Sequence, residues 1–547
     1  MGAGRGVPRH GAHGRRGAVV SPRPRLARFL LLLTVFLCAA CGLAYELALV
    51  ALGGYLIGNT VFQTSLVLSV MVFAMGFGSL AAKPLQRRAV GAFAVVEGIL
   101  ALVGGLSVLL LYVMFAWLNI YTPAMIVVAS VVGLLIGAEI PLLMTMLQRI
   151  RRQEPGGAVA DMFAVDYLGA LVGGLSFPLL LLPTFGQLKG ALVVGAVNAV
   201  VGMAAVVWIF RRQLRAVVRG GLLAGMATVL TVLGVVYAYA EDIEVTARQR
   251  LYRDPIVHAE RTPYQEIVIT RSLGFTEAED LRLFLNGDLQ FSSLDEYRYH
   301  EALTHPALAG DRSDVLILGG GDGLALREVL RYDDVERVTL VELDGAMTGL
   351  AEEYGPLREL NGDALADPRV TVVNEDAFTW LREAPGGFDA ALVDFPDPED
   401  TATAKLYSVE FYAMLSGVLA PEGRVVVQAG SPFFAPRTYW SIDATLREAG
   451  LSTTPYQVDV PSFGNWGFVL ATDEAPHGRG AGFSSGATTS GPPLALAPDA
   501  PELRFLDDAV LRAATVFPLD RRERDVRPST LMDPAVIEYA QSEWQFD

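Results

Sequence analysis

Cysteine is nearly absent: the 547-residue chain holds two, Cys38 and Cys41. Both lie inside the first long apolar run, so neither a disulfide framework nor a cysteine-rich metal ribbon holds the fold together. Their CxxC spacing is one that redox and metal motifs use. With no partner His or Cys nearby in sequence, the pair reads instead as small packing residues of a membrane helix. "CAAC" after an Arg-rich start has some likeness to a lipoprotein cleavage box, but the apolar run continues to Ile57, which favours an anchor over a cleaved signal. Charge is scarce too. Charged residues make up 19% of the chain and hydrophobic residues 52%, with a mean hydropathy of +0.38, too apolar for an ordinary soluble protein of this size. The charge is also split: residues 1–240 hold 18 basic and 6 acidic side chains, and the remainder 25 and 53. The second part lacks the basic footprint that a phosphate backbone needs, which excludes nucleic acid as a partner. Its acidity suits a cationic substrate.

The first part supplies what the composition implies. Residues 1–25 are rich in Gly, Arg and Pro and read as a disordered basic tail. Seven apolar runs follow over residues 26–240, at about 27–51, 61–82, 91–113, 123–147, 160–183, 190–210 and 218–240, each near the ~20 residues a helix needs to cross a bilayer. Basic clusters ("RPRLAR", "KPLQRR", "RIRR", "RRQLR") alternate with links carrying a single Lys, the positive-inside pattern with a cytoplasmic N-terminus. Seven crossings would leave the acidic part outside the cell, so one run, the fifth or the last, is expected not to cross. Five acids fall at or within the runs: Glu46, Glu97, Glu139, Asp161 and Asp166. They fit either a cation path or polyamine vestibule, or helix–helix contacts and interface positions. "GALVGG" at 169–174 and "GGLS" at 104–107 point to close helix packing.

Beyond residue 240, short alternating runs such as "EIVITRS" and "LRLFLNGDLQ" predict a small antiparallel β unit over 241–300. From 301 to 473, strand-like runs ("DVLILG", "RVTLVEL", "RVTVVNED", "FDAALVDF", "GRVVVQAG") alternate with helical patterns, which predicts a parallel sheet covered on both faces. Ligands of such sheets bind at the carboxyl ends of the strands. There the first strand runs into Gly319-Gly320-Gly321-Asp322-Gly323, the second ends in Glu342, the third in Glu375-Asp376 and the fourth in Asp394-Phe395-Pro396-Asp397. Four successive strand ends each present a carboxylate. The acid after the second strand is placed to hold ribose hydroxyls. No GxxxxGK[ST] is present, and clustered carboxylates repel a pyrophosphate. The ligand is therefore an adenosine whose other end is positive, such as a sulfonium compound. The fold class is a multi-pass α-helical membrane domain followed by an α/β class I methyltransferase-like (Rossmann-like) domain. Residues 474–500 read as a flexible loop, and 501–547 as a C-terminal helical segment.

These motifs, "LFLNGDLQFSSLDEYRYHEALTHPAL", "VLILGGGDGLALREVL", "VELD", "VNEDAF" and "DFPDP", resemble the spermidine synthase (polyamine aminopropyltransferase) family, and the apolar half is similar to its membrane-bound branch. The resemblance covers roughly residues 262–470. It implies transfer of an aminopropyl group from decarboxylated S-adenosylmethionine to putrescine or a related amine, releasing methylthioadenosine. It further implies that Gln265 contacts the nucleoside side of the donor and that Gln290, Tyr299 and His300 line the site. Asp322 would bind the aminopropyl ammonium, Glu342 the ribose, and Asp376 with Ala377 the adenine. Asp394 would accept the proton and Asp397 bind the amine, with Gln428 within reach of it. No metal or cofactor is expected, because a sulfonium is already a good leaving group. The expected partners are the donor, a polyamine and the lipid bilayer. Members of the family are commonly homodimers.

The chain departs from the family pattern in several places. Asn286-Gly287 stands for Asp-Gly, Phe395-Pro396 for two small polar residues, and "EDTATA" for Gly-Pro-Ala. "VPSFGNWGF" offers Val460, Phe463 and Trp466 where a Tyr is usual. Putrescine is thus the default acceptor. Two alternatives share the motifs: an S-adenosylmethionine-dependent methyltransferase, which the glycine loop and Glu342 fit equally well, and a polyamine transporter or sensor with a non-catalytic soluble part. Asp322 and the Asp394/Asp397 pair favour the aminopropyltransferase. His305, before Pro306, is expected to be structural, and Tyr407 and Tyr412 to be core aromatics.

Overall fold

The computed structural model describes residues 24–57, 60–118, 120–150, 155–209, 214–240, 243, 249, 252–272, 279–398, 400–473 and 491–543. The chain divides into two compact units, Met1–Arg248 and Gln249–Asp547. The expected basic tail at 1–25 falls almost wholly outside the described residues.

The first unit is helical throughout: α1 (Pro24–Ile57), α2 (Thr60–Ala81), α3 (Ala89–Leu118), α4 (Tyr121–Ile150), α5 (Pro155–Ser176), α6 (Leu182–Ala204) and α7 (Ala216–Ala238). Each is apolar around most of its circumference, as a helix must be that faces lipid on one side and other helices on the other. Among the described residues six helical stretches are long and apolar enough to cross a membrane. The sequence predicts seven runs, and the difference lies in Val159–Ile209, a continuous stretch of 51 residues that contains two of them. As a straight rod it would reach about 77 Å, more than twice the ~30 Å hydrocarbon core. It is broken at Gly186, whose φ of 69° and ψ of −172° are not helical. The small-residue faces pack as expected. A Cβ at Gly169 would lie 2.2 Å from the Phe36 carbonyl oxygen and one at Gly173 2.3 Å from that of Ala40, so α5 sits directly on the backbone of α1.

The second unit opens with an antiparallel sheet, β1 (Ile256–Arg261), β2 (Glu266–Arg271), β3 (Leu281–Leu285) and β4 (Asp288–Ser292), in the order β1-β2-β3-β4. Asn286 and Gly287 join β3 to β4 with φ of 54° and 100°, the two-residue turn in which Asn-Gly is preferred. A second sheet has seven strands: β5 (Asp314–Gly319), β6 (Arg337–Glu342), β7 (Val370–Asn374), β8 (Phe388–Asp394), β9 (Leu419–Gln428), β10 (Leu451–Val460) and β11 (Gly464–Asp473). Its order is β10-β11-β9-β8-β5-β6-β7. The strands from β9 to β7 in that order are parallel, and β11 and β10 complete the sheet as antiparallel additions. The chain winds outward from β5 through β6 to β7, then returns to place β8 on the other side of β5. That reversal opens a crevice at the carboxyl ends of β5 and β8. The apolar runs of β5 and β8 are buried on both faces, as central parallel strands require.

The C-terminal residues differ from expectation. Residues 491–500 are not a free loop: the Thr454 hydroxyl donates to the Pro492 carbonyl (2.7 Å) and Arg312 pairs with Asp499 (2.5 Å). Residues 474–490 lie outside the described part. Among its described residues the last segment holds two short helices, Asp508–Ala514 and Ala535–Glu543, and is otherwise a strap without regular structure. The strap is anchored on the helix Glu296–Thr304. The buried Glu301 carboxylate accepts the backbone N–H groups of Arg504, Phe505 and Leu506 at 2.8, 2.9 and 2.9 Å, and Arg504 lies 3.8 Å over the Tyr297 ring.

Candidate active site

The crevice is built by backbone first. Gly319 pairs in register with Asp394, and a Cβ at Gly319 would fall 2.1 Å from the Asp394 carbonyl oxygen. Only glycine lets β5 turn there, and its φ of 82° makes the same demand. A Cβ at Gly320 would meet the Asp394 carboxylate at 3.2 Å and one at Gly321 the Glu342 side chain at 2.7 Å. The glycine loop is therefore threaded between two of the expected acids, with Asp322 at its tip. Asp322 is fixed by the Leu324 N–H on its Oδ1 (2.9 Å), and the Asn361 amide donates to its carbonyl (3.0 Å).

Glu342 receives two backbone N–H groups, Gly321 on Oε2 (3.2 Å) and Asp344 on Oε1 (3.0 Å). Enclosure by protein outweighs them and pushes its acid up to about 7. Asp344, the second acid of "VELD", is a functional position the sequence reading passed over. It caps the helix Gly345–Glu353 through the Ala346 N–H (3.1 Å), and its other oxygen accepts the Gln265 amide (3.0 Å) and the Thr262 hydroxyl (2.8 Å). Gln265 is thus brought to the end of β6, where it ties the small sheet to Asp344 and, through it, to Glu342. Asp376 caps the helix that begins at Ala377 through the Phe378 N–H (2.8 Å) and pairs with Lys405.

Asp394 ends β8 beside this loop. Its Oδ1 accepts the hydroxyl of buried Tyr299 at 2.6 Å. Asp394 keeps part of its surface open, yet loss of hydration raises its acid to about 6. His300 counters the rise, Asp322 adds to it, and the Tyr299 bond partly offsets it. Asp322 itself is raised by burial, with His300 pulling the other way. The His300 ring is fixed on one edge: its Nδ1 meets Glu296 Oε2 at 2.9 Å and the Glu296 carbonyl at 2.8 Å. Burial disfavours its charge, but Glu296 more than compensates, so the imidazolium is favoured. In that form it lowers the acids of both Asp322 and Asp394.

Asp397 is raised to about 6, by burial first, with the Gln428 amide lowering it and Asp288 raising it. Gln428 is a hub. Its Nε2 donates to Asp397 Oδ1 (3.1 Å), the Phe395 carbonyl (2.5 Å) and the Tyr407 hydroxyl (2.9 Å). Its Oε1 accepts the Gly430 N–H (2.9 Å) and the Trp466 indole N–H (3.2 Å). Tyr407 is buried as expected, but its hydroxyl also donates to the Pro396 carbonyl (3.0 Å), so it shapes the Asp394–Asp397 loop as well as filling the core. Tyr412 is a core aromatic. His305 is structural, held by the Tyr332 hydroxyl (2.7 Å) and Glu328 (3.2 Å). Gln290, on β4, turns its amide to the Asp288 carbonyl (3.2 Å).

The domain description that matches is Spermine/spermidine synthase domain, over residues 296–477. The chain is 68% identical over 536 residues to Polyamine aminopropyltransferase 1 of Streptomyces coelicolor, spanning 97% of this chain and 98% of that one. It is 46% identical over 530 residues to Polyamine aminopropyltransferase of Mycobacterium tuberculosis, spanning 94% and 97%. Among solved structures, spermidine synthase from Thermotoga maritima aligns over 48% of this chain and 84% of that one, at 25% identity and a TM-score of 0.41. With near-full-length identity of this order across both units, the chain belongs to the spermidine/spermine synthase family of polyamine aminopropyltransferases.

Proposed function

We propose that this protein transfers the aminopropyl group of decarboxylated S-adenosylmethionine to putrescine or a related diamine and releases methylthioadenosine. The observation that carries the reading is the pairing of a free-energy-poised base with a cation site across one glycine loop. Asp394, with its acid near 6 and its Oδ1 held by Tyr299, faces the loop whose tip is Asp322. A carboxylate of that basicity is ionised at neutral pH and still able to take a proton. In this reading Asp322 binds the donor's free ammonium, Glu342 its ribose hydroxyls, and Asp376 with Ala377 its adenine. Gln265 steadies the ribose side through Asp344. Asp397, aimed by Gln428, binds the acceptor, and Tyr299 and His300 set the charge of Asp394. Gln290 approaches the amine only from the rim.

The attacking amine gives its proton to Asp394 as its nitrogen bonds to the aminopropyl carbon next to sulfur. The carbon–sulfur bond breaks, and its electron pair neutralises the sulfonium. Holding both reactants in line supplies most of the rate gain, and the step itself calls for no metal or cofactor. An acid at Asp322 gives an ordinary methyl donor, whose terminal amine carries a neighbouring carboxylate, no advantage. This favours the decarboxylated donor over methyl transfer.

The apolar helices support a multi-pass membrane protein. We place the catalytic unit on the cytoplasmic face, where a charged adenosyl donor is made. This requires the two arms around Gly186 to count as one crossing or a re-entrant element. The deciding assay is the full chain with decarboxylated S-adenosylmethionine and putrescine, read as methylthioadenosine. Release is expected, and its absence with every diamine tried would overturn the reading.

A further inference from the structure

The membrane unit contains a second cluster of chemically active side chains. Cys38 on α1, Glu97 on α3 and Glu139 on α4 are all buried, and one ligand atom from each lies within 4.8 Å of the others. The Cys38 thiol donates to Glu97 Oε1 at 3.1 Å. Two carboxyl groups buried together in an apolar bundle are costly unless something compensates them. Hydrogen bonding compensates them only in part: the two carboxyl groups lie close enough to share a proton, yet Glu97 Oε2 and Glu139 Oε1 have no partner of ordinary hydrogen-bond geometry among the described residues. Asn198 of α6 is fully buried and lies against the Glu97 carboxylate, yet neither of its amide atoms makes a hydrogen bond of ordinary geometry among the described residues. Tyr45, fully buried on α1 one turn beyond Cys41, likewise has a hydroxyl without a partner among them. Buried polar atoms left over in such number at one place indicate a ligand that uses them.

The donor set identifies its class. An ammonium ion takes oxygen acceptors and gains little from sulfur, whereas a borderline divalent transition metal accepts thiolate and carboxylate together. A thiolate and one carboxylate neutralise a divalent charge, which a low-dielectric site requires, and the second carboxyl group can bind through its neutral carbonyl oxygen. We propose that Cys38, Glu97 and Glu139, completed by the Asn198 amide oxygen, bind one divalent transition-metal ion of the zinc class and so clamp α1, α3, α4 and α6 together. As the metal arrives, the thiol proton and one carboxyl proton leave to solvent while the second carboxyl group keeps its proton, so the buried site stays neutral.

The test uses the untagged full-length protein in detergent, stripped with chelator and titrated with Co2+. One equivalent should bind with a near-ultraviolet thiolate-to-cobalt absorption band, and Zn2+ should displace it. Glu97→Gln should weaken binding about 100-fold or more, by analogy with the 10- to 100-fold that losing a supporting partner alone costs. Cys38→Ser should abolish the band while leaving weaker binding, and Cys41→Ser, whose thiol points to the Val194 carbonyl at 3.9 Å, should keep it. Retained aminopropyl transfer and a monodisperse elution profile show that each variant is folded. No band in the wild-type protein, a band that survives Cys38→Ser, or cobalt displaced by spermidine but not by Zn2+ would each overturn the metal assignment.

Discussion

Removing one hydroxyl group tests how the site tunes its base. In Tyr299→Phe the ring packing remains, but the 2.6 Å bond to Asp394 Oδ1 is lost. That bond favours the ionised carboxylate and partly offsets burial, which has already raised the acid to about 6. A hydrogen bond to a charged group contributes about 1.5–3 kcal/mol. Part of that persists when the acid is protonated, so the net loss is roughly 1.4 kcal/mol, or about one pKa unit. The Asp394 acid should therefore move up to about 7. At pH 6 the ionised fraction then falls from about half to about a tenth, a fivefold loss of kcat/KM; at pH 7 the loss is about twofold, and by pH 9 it vanishes. Methylthioadenosine release measured from pH 5.5 to 9.5, expressed as the ratio of variant to wild type, isolates this effect, because the amine's own titration cancels. A ratio that does not change with pH would mean that Tyr299 acts by packing or on the substrate, and the account of Asp394 as a tuned base would fail.

Four further outcomes follow from the same geometry. Asp394→Asn should lower kcat by about 10²- to 10⁴-fold yet raise the thermal midpoint of the donor-free α/β unit at pH 7–8. With a folded-state acid near 6 against the ordinary 3.8 of an aspartic acid, the folded state binds the extra proton between about pH 4 and pH 6 and loses stability as pH rises through that window. Calorimetry of the variant that showed no gain above pH 7 would contradict the assigned shift. Gln428→Ala removes the amide that aims Asp397 and should raise KM for putrescine about tenfold while changing KM for the donor little; a larger change for the donor would move Gln428 out of the acceptor pocket. Gly319→Ala puts a Cβ 2.1 Å from the Asp394 carbonyl in a backbone with φ of 82°. It should abolish activity and lower the unfolding temperature, whereas normal activity would deny the close approach of β5 and β8. A topology reporter fused after Asp547 should report from the cytoplasm, and a periplasmic signal would reverse the membrane assignment.

The central strands were legible because parallel strands buried on both faces leave unbroken Val/Leu/Ile runs, as in "DVLILG" and "FDAALVDF". The acids at their ends were legible by the same logic, since strand ends are where such folds bind ligands. The hairpin of β10 and β11 was not read as strand. Pro455 and the glycines at 464 and 467 interrupt its pattern, and "VPSFGNWGF" drew attention as pocket lining. Long-range partners were invisible. Nothing local says that Gln428 aims Asp397, or that Asp344 joins Gln265 to the ribose side, because residues far apart in sequence make each bond. His300 was read as lining the site, and its tie to Glu296 was not read, although Glu296 stands one helical turn earlier, where such a bond forms. In the membrane unit, hydropathy located the apolar runs, but it gives no sign that two of them continue as one stretch bent at Gly186.

The strap carries a consequence for how the enzyme comes into being. Glu301 and Tyr299 share one short helix, and the three backbone groups that satisfy Glu301 come from Arg504, Phe505 and Leu506, 203 to 205 residues further along the chain. During synthesis the glycine loop and its acids emerge well before the residues that tether this helix. A chain interrupted before residue 504 would lack both the N–H groups that satisfy Glu301 and the core side chains of Ala514 and Val536.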